Sequence, residues 1–395
     1  MYVEFLSLTD FRSYTQLDIE LGPGATVFVG PNGMGKTNIV EALGYLASMS
    51  SHRVSSDGPL IRFGQERAMV RARLRRGQQG IAVEMEINAG KSNRARINRA
   101  NPVRARDALG ICRTVLFAPE DLALVKGDPA NRRRFLDDLL VSLVPHHAAT
   151  RSDYERVLKQ RNALLKSARA SGKFTDAHRA TLDVWNQHMA AAGARLLRAR
   201  LDLLQQLEPH IGRAYNELTD GSKAAGARYR STLQTALSDD GSAEADIETN
   251  AGDLSVLTVE ELHGRFMEAF QAQQNKEVER GISLVGPHRD EVELLLGSAP
   301  AKGYASHGET WSMALSLRLA SYYVFLADDE TEGAAPILIL DDVFAELDTQ
   351  RRQRLSDIVS TAEQVLVTAA VSEDVPGALQ GRLITVASGL VSAGE

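Results

Sequence analysis

Cys112 is the only thiol in 395 residues, so the chain forms no internal disulfide, and no C-x-x-C or metal-ligand spacing surrounds it. A chain of this length without cross-links suits a reducing compartment, and Cys112 reads as a small buried hydrophobe. Long apolar runs are missing as well. No stretch approaches the roughly 18 apolar residues of a membrane span, and the start, MYVEFLSLTDFRSYTQLDIEL, has neither a basic n-region nor an apolar h-region. The expected location is the cytoplasm. With 44% hydrophobic and 24% charged residues, collagen-like and disordered classes are excluded, and the length allows two or three lobes with cores of their own.

The formal net charge of −6 would argue against nucleic acid if it were evenly spread, but it is not. From Arg53 to Arg113 basic residues far outnumber acidic ones, with Arg71, Arg73, Arg75 and Arg76, then Arg94, Arg96, Arg99, Arg104 and Arg106; Asp239 to Glu261 is acidic. Arg71, Arg73, Arg94 and Arg96 are the candidate DNA contacts. The plainer reading is a solvated basic surface.

Two short strings near opposite ends carry the chemistry. Gly30-Pro31-Asn32-Gly33-Met34-Gly35-Lys36-Thr37 fits G-x-x-x-x-G-K-[ST]. In that motif backbone N–H groups curl round phosphate oxygens, the Lys reaches the β/γ-phosphates and the Thr hydroxyl ligates Mg²⁺. Residues 25–29 are expected as a strand and 38–49 as a helix with Ile39, Val40, Leu43 and Leu46 on one face, the context the motif requires. The second string, Ile337-Leu338-Ile339-Leu340-Asp341-Asp342, reads as a buried strand ending in two carboxylates. Asp341 is assigned to Mg²⁺ together with Thr37, and Asp342, the catalytic partner of Lys36, to the attacking water. Either aspartate taken alone could cap a strand end. ATP and Mg²⁺ are the implied cofactors.

The separation of the strings implies a large insertion between two halves of one site. Strands are expected over 1–21 and 67–88, and helical patterning runs from the Asp128-Pro129 start to about Leu218. Leu182, Trp185, Met189, Ala192, Leu196, Ala199 and Leu203 form a heptad seam that Pro209 closes. Residues 238–253 read as a linker, 262–278 as a helix, and strand, helix, strand return over 337–340, 350–360 and 365–368. The expected division is 1–125, an N-terminal half of the nucleotide-binding head with a basic β-rich piece; 126–275, a helical insert; and 276–395, the C-terminal half. The fold class is α/β.

Ser306, His307, Gly308 and Glu309 open a further helix, where orphan N–H groups and the helix dipole favour an anion. One site does not need two phosphate cradles, so the economical reading is a homodimer in which this segment closes over the partner's γ-phosphate; a plain helix cap is the alternative. Val343-Phe344-Ala345-Glu346-Leu347-Asp348 follows the acidic strand. In this order, GPNGMGKT, SHGE, ILILDD and AELD resemble the Walker A, signature, Walker B and D-loop of the ABC-type ATPases with SMC-like heads. The strings FAPEDL, VKGDP with RRRFLD at 132–137, and GPHRD at 286–290 look like the bacterial recombination mediators within that family, nearly end to end.

That resemblance implies ATP-driven dimerisation that clamps duplex, gapped or junction DNA, release by slow DNA-stimulated hydrolysis, RecO and RecR as partners, and help in loading RecA. A Rad50-like nuclease-associated ATPase, a transporter ATPase and an ATP-switched scaffold are the rivals. Departures from the pattern are His307 and Glu309 in the signature, Thr368-Ala369-Ala370 where many ABC ATPases place a His, and Glu120-Asp121 where a Gln is usual. The roles of His52, Arg53, His288 and Arg289 stay open on residues alone. Arg132 to Arg134 could meet DNA phosphates or carboxylates of the other lobe.

Overall fold

The computed structural model describes residues 1–221, 223–237, 253–387 and 390–393. The N-terminal part runs β1 (Tyr2–Phe11), β2 (Tyr14–Glu20), β3 (Gly24–Val29), α1 (Lys36–Ser48), β4 (Arg67–Arg76), β5 (Gln79–Asn88), β6 (Arg94–Ile97), β7 (Val103–Arg104) and β8 (Thr114–Phe117). The middle runs α2 (Leu122–Lys126), α3 (Pro129–Leu143), α4 (His147–Ser171), α5 (Asp176–Leu218), β9 (Ala225–Arg230), α6 (Thr232–Ala236) and α7 (Val259–Arg280). The C-terminal part adds β10 (Glu291–Leu296), β11 (Ala299–Pro300), the single turn α8 (Ala301–Tyr304), α9 (His307–Asp328), β12 (Ile337–Asp341), α10 (Thr349–Val359), β13 (Gln364–Ala369), β14 (Arg382–Ala387) and β15 (Leu390–Ala393).

Two sheets from distant sequence carry the head. One is mixed, in the order β15-β14-β3-β13-β12-β8, with β14, β3, β13, β12 and β8 parallel. Its central strands are covered on both faces, which is why β12 reads as an unbroken apolar run. Ile337 and Ile339 pack with Phe28, Leu366 and α1 on one side, while Leu338 and Leu340 pack with Val365, Val367 and α9 on the other. The second sheet, β2-β1-β4-β5-β6-β7, is antiparallel. It turns Ala68, Val70, Ala72 and Leu74 inward and leaves the intervening residues of β4 on the outer face, the period-2 alternation of a one-sided strand.

The inserted lobe is a hairpin of α4 and α5 with α7 across it, and every seam residue except half-exposed Trp185 is buried. Pro209 does not close the seam: it lies inside α5, which continues to Leu218. Leu207, Ile211, Ala214, Tyr215 and Leu218 are buried on both sides of it, so tertiary packing outweighs the hydrogen bond that a mid-helix proline removes. Asp128 stands at the start of α3, but its side chain makes no cap bond. Nor is the insert purely helical: β9 pairs with β10 from beyond it, and β11 completes a third sheet. The linker expected over 238–253 falls, apart from Asp253, outside the described residues.

Buried ion pairs lock the lobe. Arg161 and Glu277, both fully enclosed, bond at 2.5 Å, and Arg161 also donates to Asn186 Oδ1 and Ser283 Oγ and lies over the Phe270 ring. Removing one partner strands the other charge without water, which costs about 3–5 kcal/mol. Glu277→Ala should therefore lower unfolding stability in urea by about that much, whereas Arg156→Ala, on an exposed pair with Asp153, should change it by less than about 1 kcal/mol.

Candidate nucleotide site

The phosphate loop joins the end of β3 to the first turn of α1. Gly35, at φ 105°, adopts a backbone that only glycine holds without strain, and a Cβ there would lie 2.7 Å from the Tyr14 hydroxyl. Lys36 opens α1 and is 3% exposed. Its ammonium donates to the carbonyls of Gly30 (2.6 Å) and Pro31 (3.3 Å) and to Asn32 Oδ1 (3.4 Å). The loop thus curls round its own lysine, the position a phosphate oxygen would share. Gly33, at φ 84°, completes the curl, and Met34 packs partly buried against the core under α1.

Parallel register brings the carboxylates to the same edge. Asp341 lies beside Thr368 of β13, which lies beside Phe28 of β3, so the strands of Walker A and Walker B are separated by one strand and end together. Asp341 Oδ1 accepts from Thr37 Oγ1 (2.9 Å) and Thr368 Oγ1 (2.7 Å), while Oδ2 faces His52 Nε2 at 3.7 Å. Asp342 has φ 52° and its N–H donates to Thr368 Oγ1 at 2.9 Å. Burial pushes the Asp342 carboxyl above the usual aspartate range and the Asp341 charge adds to this, against the pull of Lys36. Asp342, Asn32, Thr368, Ala369 and Ala370 line a cavity of about 250 Å³.

The donor set suits a hard cation that arrives with a nucleotide. Thr37 and Asp341 offer oxygens only, and among the described residues no group of three or more His, Cys, Asp or Glu side chains could hold a metal unaided. Mg²⁺ is bound in this way, by one or two carboxylates plus phosphates and water.

A neighbouring cluster was not visible in the sequence. The β1–β2 turn folds over the loop: Asn38 donates to Ser13 Oγ (2.9 Å), Tyr14 OH to the Gly35 carbonyl (3.2 Å), and Arg12 forks onto buried Glu41, which also receives Ser51 and Arg53. Beside it a cavity of about 660 Å³ is lined by Arg12, Ser13, Asn38, Arg62 and Phe63, and the Phe63 ring is fully exposed. The sole signal was the glutamate on the apolar face of α1, which turns inward only because two arginines and a serine meet it.

The start of α9 is capped. Ser306 Oγ accepts the Glu309 N–H and Glu309 accepts the Ser306 N–H, a capping box. Glu309 is paired with Lys223, and these bonds hold its carboxyl down at about 2. Gly308 lies against the Arg351 guanidinium, 2.9 Å from where a Cβ would be, and Arg351 also donates to Ser312 Oγ and pairs with the D-loop Asp348. None of these groups lines the Walker cavity. His307 is the first, exposed residue of α9.

Several other motif residues are occupied structurally. Arg132, 5% exposed, forks onto Glu291 and half-buried Arg133 donates to the Asp290 carbonyl, so both bond residues beyond the insert. Arg134 bonds the Ser51 carbonyl and pairs with Asp138. In GPHRD, buried Asp290 collects Thr232, Tyr229 and Ser231, and His288 meets Tyr154 OH at 2.7 Å. Asp121 accepts the Ala118 N–H and pairs with Arg318, while Glu120 is exposed.

Arg71, Arg73, Arg94 and Arg96 share the outer face of the antiparallel sheet, but carboxylates are interleaved with them. Glu84 stands opposite Arg71 and Arg96, Glu86 opposite Arg94, and Glu4 pairs with Arg73 and Arg75.

A mostly parallel sheet that carries a phosphate loop and paired carboxylates at one edge, with a mainly helical insert and a second capped helix, defines an ABC-type ATPase head. The RecF/RecN/SMC N-terminal domain profile matches residues 2–388. The "DNA replication and repair protein RecF" of Paenarthrobacter aurescens is 69% identical over 394 residues, 98% of each chain. The chain belongs to the RecF family. A solved structure described as "Structure of the recombination mediator protein RecF-ATP in RecFOR pathway" has a similar fold at 23% identity, with TM-score 0.86 and coverage of 100% of this chain and 98% of that one. The Smc head domain of Pyrococcus furiosus is similar at 17% identity and TM-score 0.52, covering 100% and 96%.

Lys36→Ala removes the fixed counter-charge of the loop, so ATP affinity measured by equilibrium dialysis should fall by at least about tenfold, the equivalent of about 1.4 kcal/mol.

Proposed function

We propose that the chain is an ATP-dependent recombination mediator in the cytoplasm that closes on DNA as a homodimer, with 126–275 as its inserted lobe. The observation that carries this reading is the division of the site. Lys36, Thr37, Asp341 and Asp342 converge at one sheet edge, while the Ser306 face of α9 bonds to groups outside that cavity. A second copy would bring its Ser306 face to the γ-phosphate. Family membership and the names of the relatives support DNA repair as the setting, with RecO and RecR as partners.

In this mechanism Asn32 to Gly35 present N–H groups to the phosphates and Lys36 leaves the loop carbonyls for the β/γ-oxygens. The cavity beside Ser13 and Asn38 receives the nucleoside, with the Phe63 face open for stacking. Thr37 and Asp341 would hold Mg²⁺, which would supply charge neutralisation at the phosphates. Asp342 orients the attacking water, and bond cleavage removes the contact that holds the partner's signature. Hydrolysis is then a timer for release, slow for want of an imidazole at Ala369 or Ala370, and DNA stimulates it by favouring closure.

Asp342→Asn should bind ATP normally, turn over at least about tenfold more slowly, and show a longer-lived ATP dimer by sedimentation. Wild-type turnover by this variant would remove Asp342 from the water-orienting role. Ser306→Arg should keep single-subunit ATP binding and lose ATP-dependent dimerisation. Ser306→Ala forfeits the cap, about 1 kcal/mol, and the hydroxyl of the shared face but adds neither bulk nor charge, so it should weaken ATP-dependent dimerisation less than Ser306→Arg. A Ser306→Arg chain that still dimerises would refute signature action in trans.

For DNA, the outer sheet face supports backbone contact through Arg71, Arg73, Arg94 and Arg96. Affinity should be ATP-stimulated, with log affinity falling by about 0.9 per neutralised phosphate for each unit of log salt. Reversing all four charges should flatten that slope by about 3–4. An unchanged slope with intact ATPase activity would move the DNA face elsewhere.

A further inference from the structure

We infer that Thr368 is a positioning residue for ATP hydrolysis, one hydroxyl that sets both Walker B carboxylates; the inference rests on the ATPase reading above. Thr368 is 1% exposed, on the strand between those of Walker A and Walker B, in register with Asp341. Its Oγ1 donates to Asp341 Oδ1 at 2.7 Å and accepts the Asp342 N–H at 2.9 Å. A hydroxyl has one proton to give and lone pairs to receive, so a single atom fixes the side chain of one aspartate and the backbone of the next.

Both halves of that clamp have a task. Asp342 sits at φ 52°, a left-handed conformation that is unfavourable for a non-glycine residue and persists only where surroundings hold it. The Thr368 oxygen is what receives the turned amide, and the turn places Asp342 in the lining of the cavity that Thr368 itself also lines. On the other side, Asp341 Oδ1 is shared between Thr368 and Thr37. When Thr37 gives up that bond, Thr368 still holds the oxygen in place. Ala369 and Ala370 follow with no polar side chain, so along this stretch of the wall Thr368 alone brings a side-chain hydrogen bond to the Asp341 carboxylate and the Asp342 amide.

Thr368→Val keeps the shape and loses both bonds; Thr368→Ser keeps the hydroxyl. Both are measured as full-length chains beside the wild type and Asp342→Asn, for ATP turnover, ATP affinity by equilibrium dialysis, and persistence of the ATP-induced dimer by sedimentation. The expected result is that Thr368→Val turns over at least about tenfold more slowly with ATP affinity within about twofold of wild type, a fall in kcat without loss of ground-state binding. Its dimer persists as that of Asp342→Asn does, and Thr368→Ser recovers at least about half of wild-type turnover.

Thr368→Val at the wild-type rate, or Thr368→Ser as slow as Thr368→Val, overturns the inference. Equal loss of turnover and ATP affinity would make Thr368 a structural residue and also overturns it. Should the valine chain not fold, Thr368→Cys, similar in size but a weak donor, takes its place with the same expected split. A wild-type chain that binds ATP but never hydrolyses it refutes the ATPase reading itself, an outcome distinct from a normal wild type beside an unaffected Thr368→Val.

Discussion

Everything at the nucleotide site depends on three parallel strands lying side by side. β3, β13 and β12 pair in a register that sets Val29, Ala369 and Asp341 near one edge, although more than 300 residues separate the phosphate loop from the carboxylates. Parallel pairing fixes this because all strands point the same way, so their carboxyl ends, and the loops that follow, meet on one side. The apolar alternation of β12 between two cores makes the register costly to shift, since a slip of one residue would exchange its buried faces.

The insert has to be held rigidly if closure of one head is to be felt by the lobe. Charged pairs at its base do this. Arg132 with Glu291, Arg200 with Asp137 and Arg161 with Glu277 each join segments far apart in sequence, and Arg200 also bonds the Pro287 carbonyl. Such pairs add little net stability compared with apolar packing, but they tolerate few alternative arrangements. The strings RRRFLD and GPHRD are therefore parts of one joint. Part of their polar composition, which invites a functional reading, goes into buried groups that satisfy one another: Arg132, Asp137 and Asp290.

The signature segment shows how one stretch of chain can serve two demands. In the single chain the capping box satisfies the first N–H groups of α9, and Glu309 with Lys223 neutralises the charge there. Arg351 ties that turn to Asp348 of the D-loop, so the two motifs that would face a partner copy form one unit. A helix start that is already capped is a modest anion site by itself. This fits a phosphate contact made only when a second head supplies the rest.

The sequence by itself determined the class of fold and pointed to the candidate groups, because both are written locally. A phosphate loop needs glycines and a lysine at fixed spacing, a doubly covered strand needs an apolar run, and a lobe of packed helices needs its heptad stripe; Gly30 to Thr37, Ile337 to Asp342 and Leu182 to Leu203 carry these. Local reasoning erred where a distant contact decides the outcome. Pro209 marks an end only until the packing of Ile211 to Leu218 carries α5 through it. Arg132 and Asp121 look available until Glu291 and Arg318 are brought against them, and the arginine face looks more basic until Glu84 and Glu86 are paired across it. The Arg12–Glu41 cluster left only the glutamate on the apolar face of α1 as a trace, and the Thr368 clamp left none, because each consists of a meeting between residues whose separation in sequence says nothing of their distance. Only the tertiary structure, through strand register and the burial of charge, decided those.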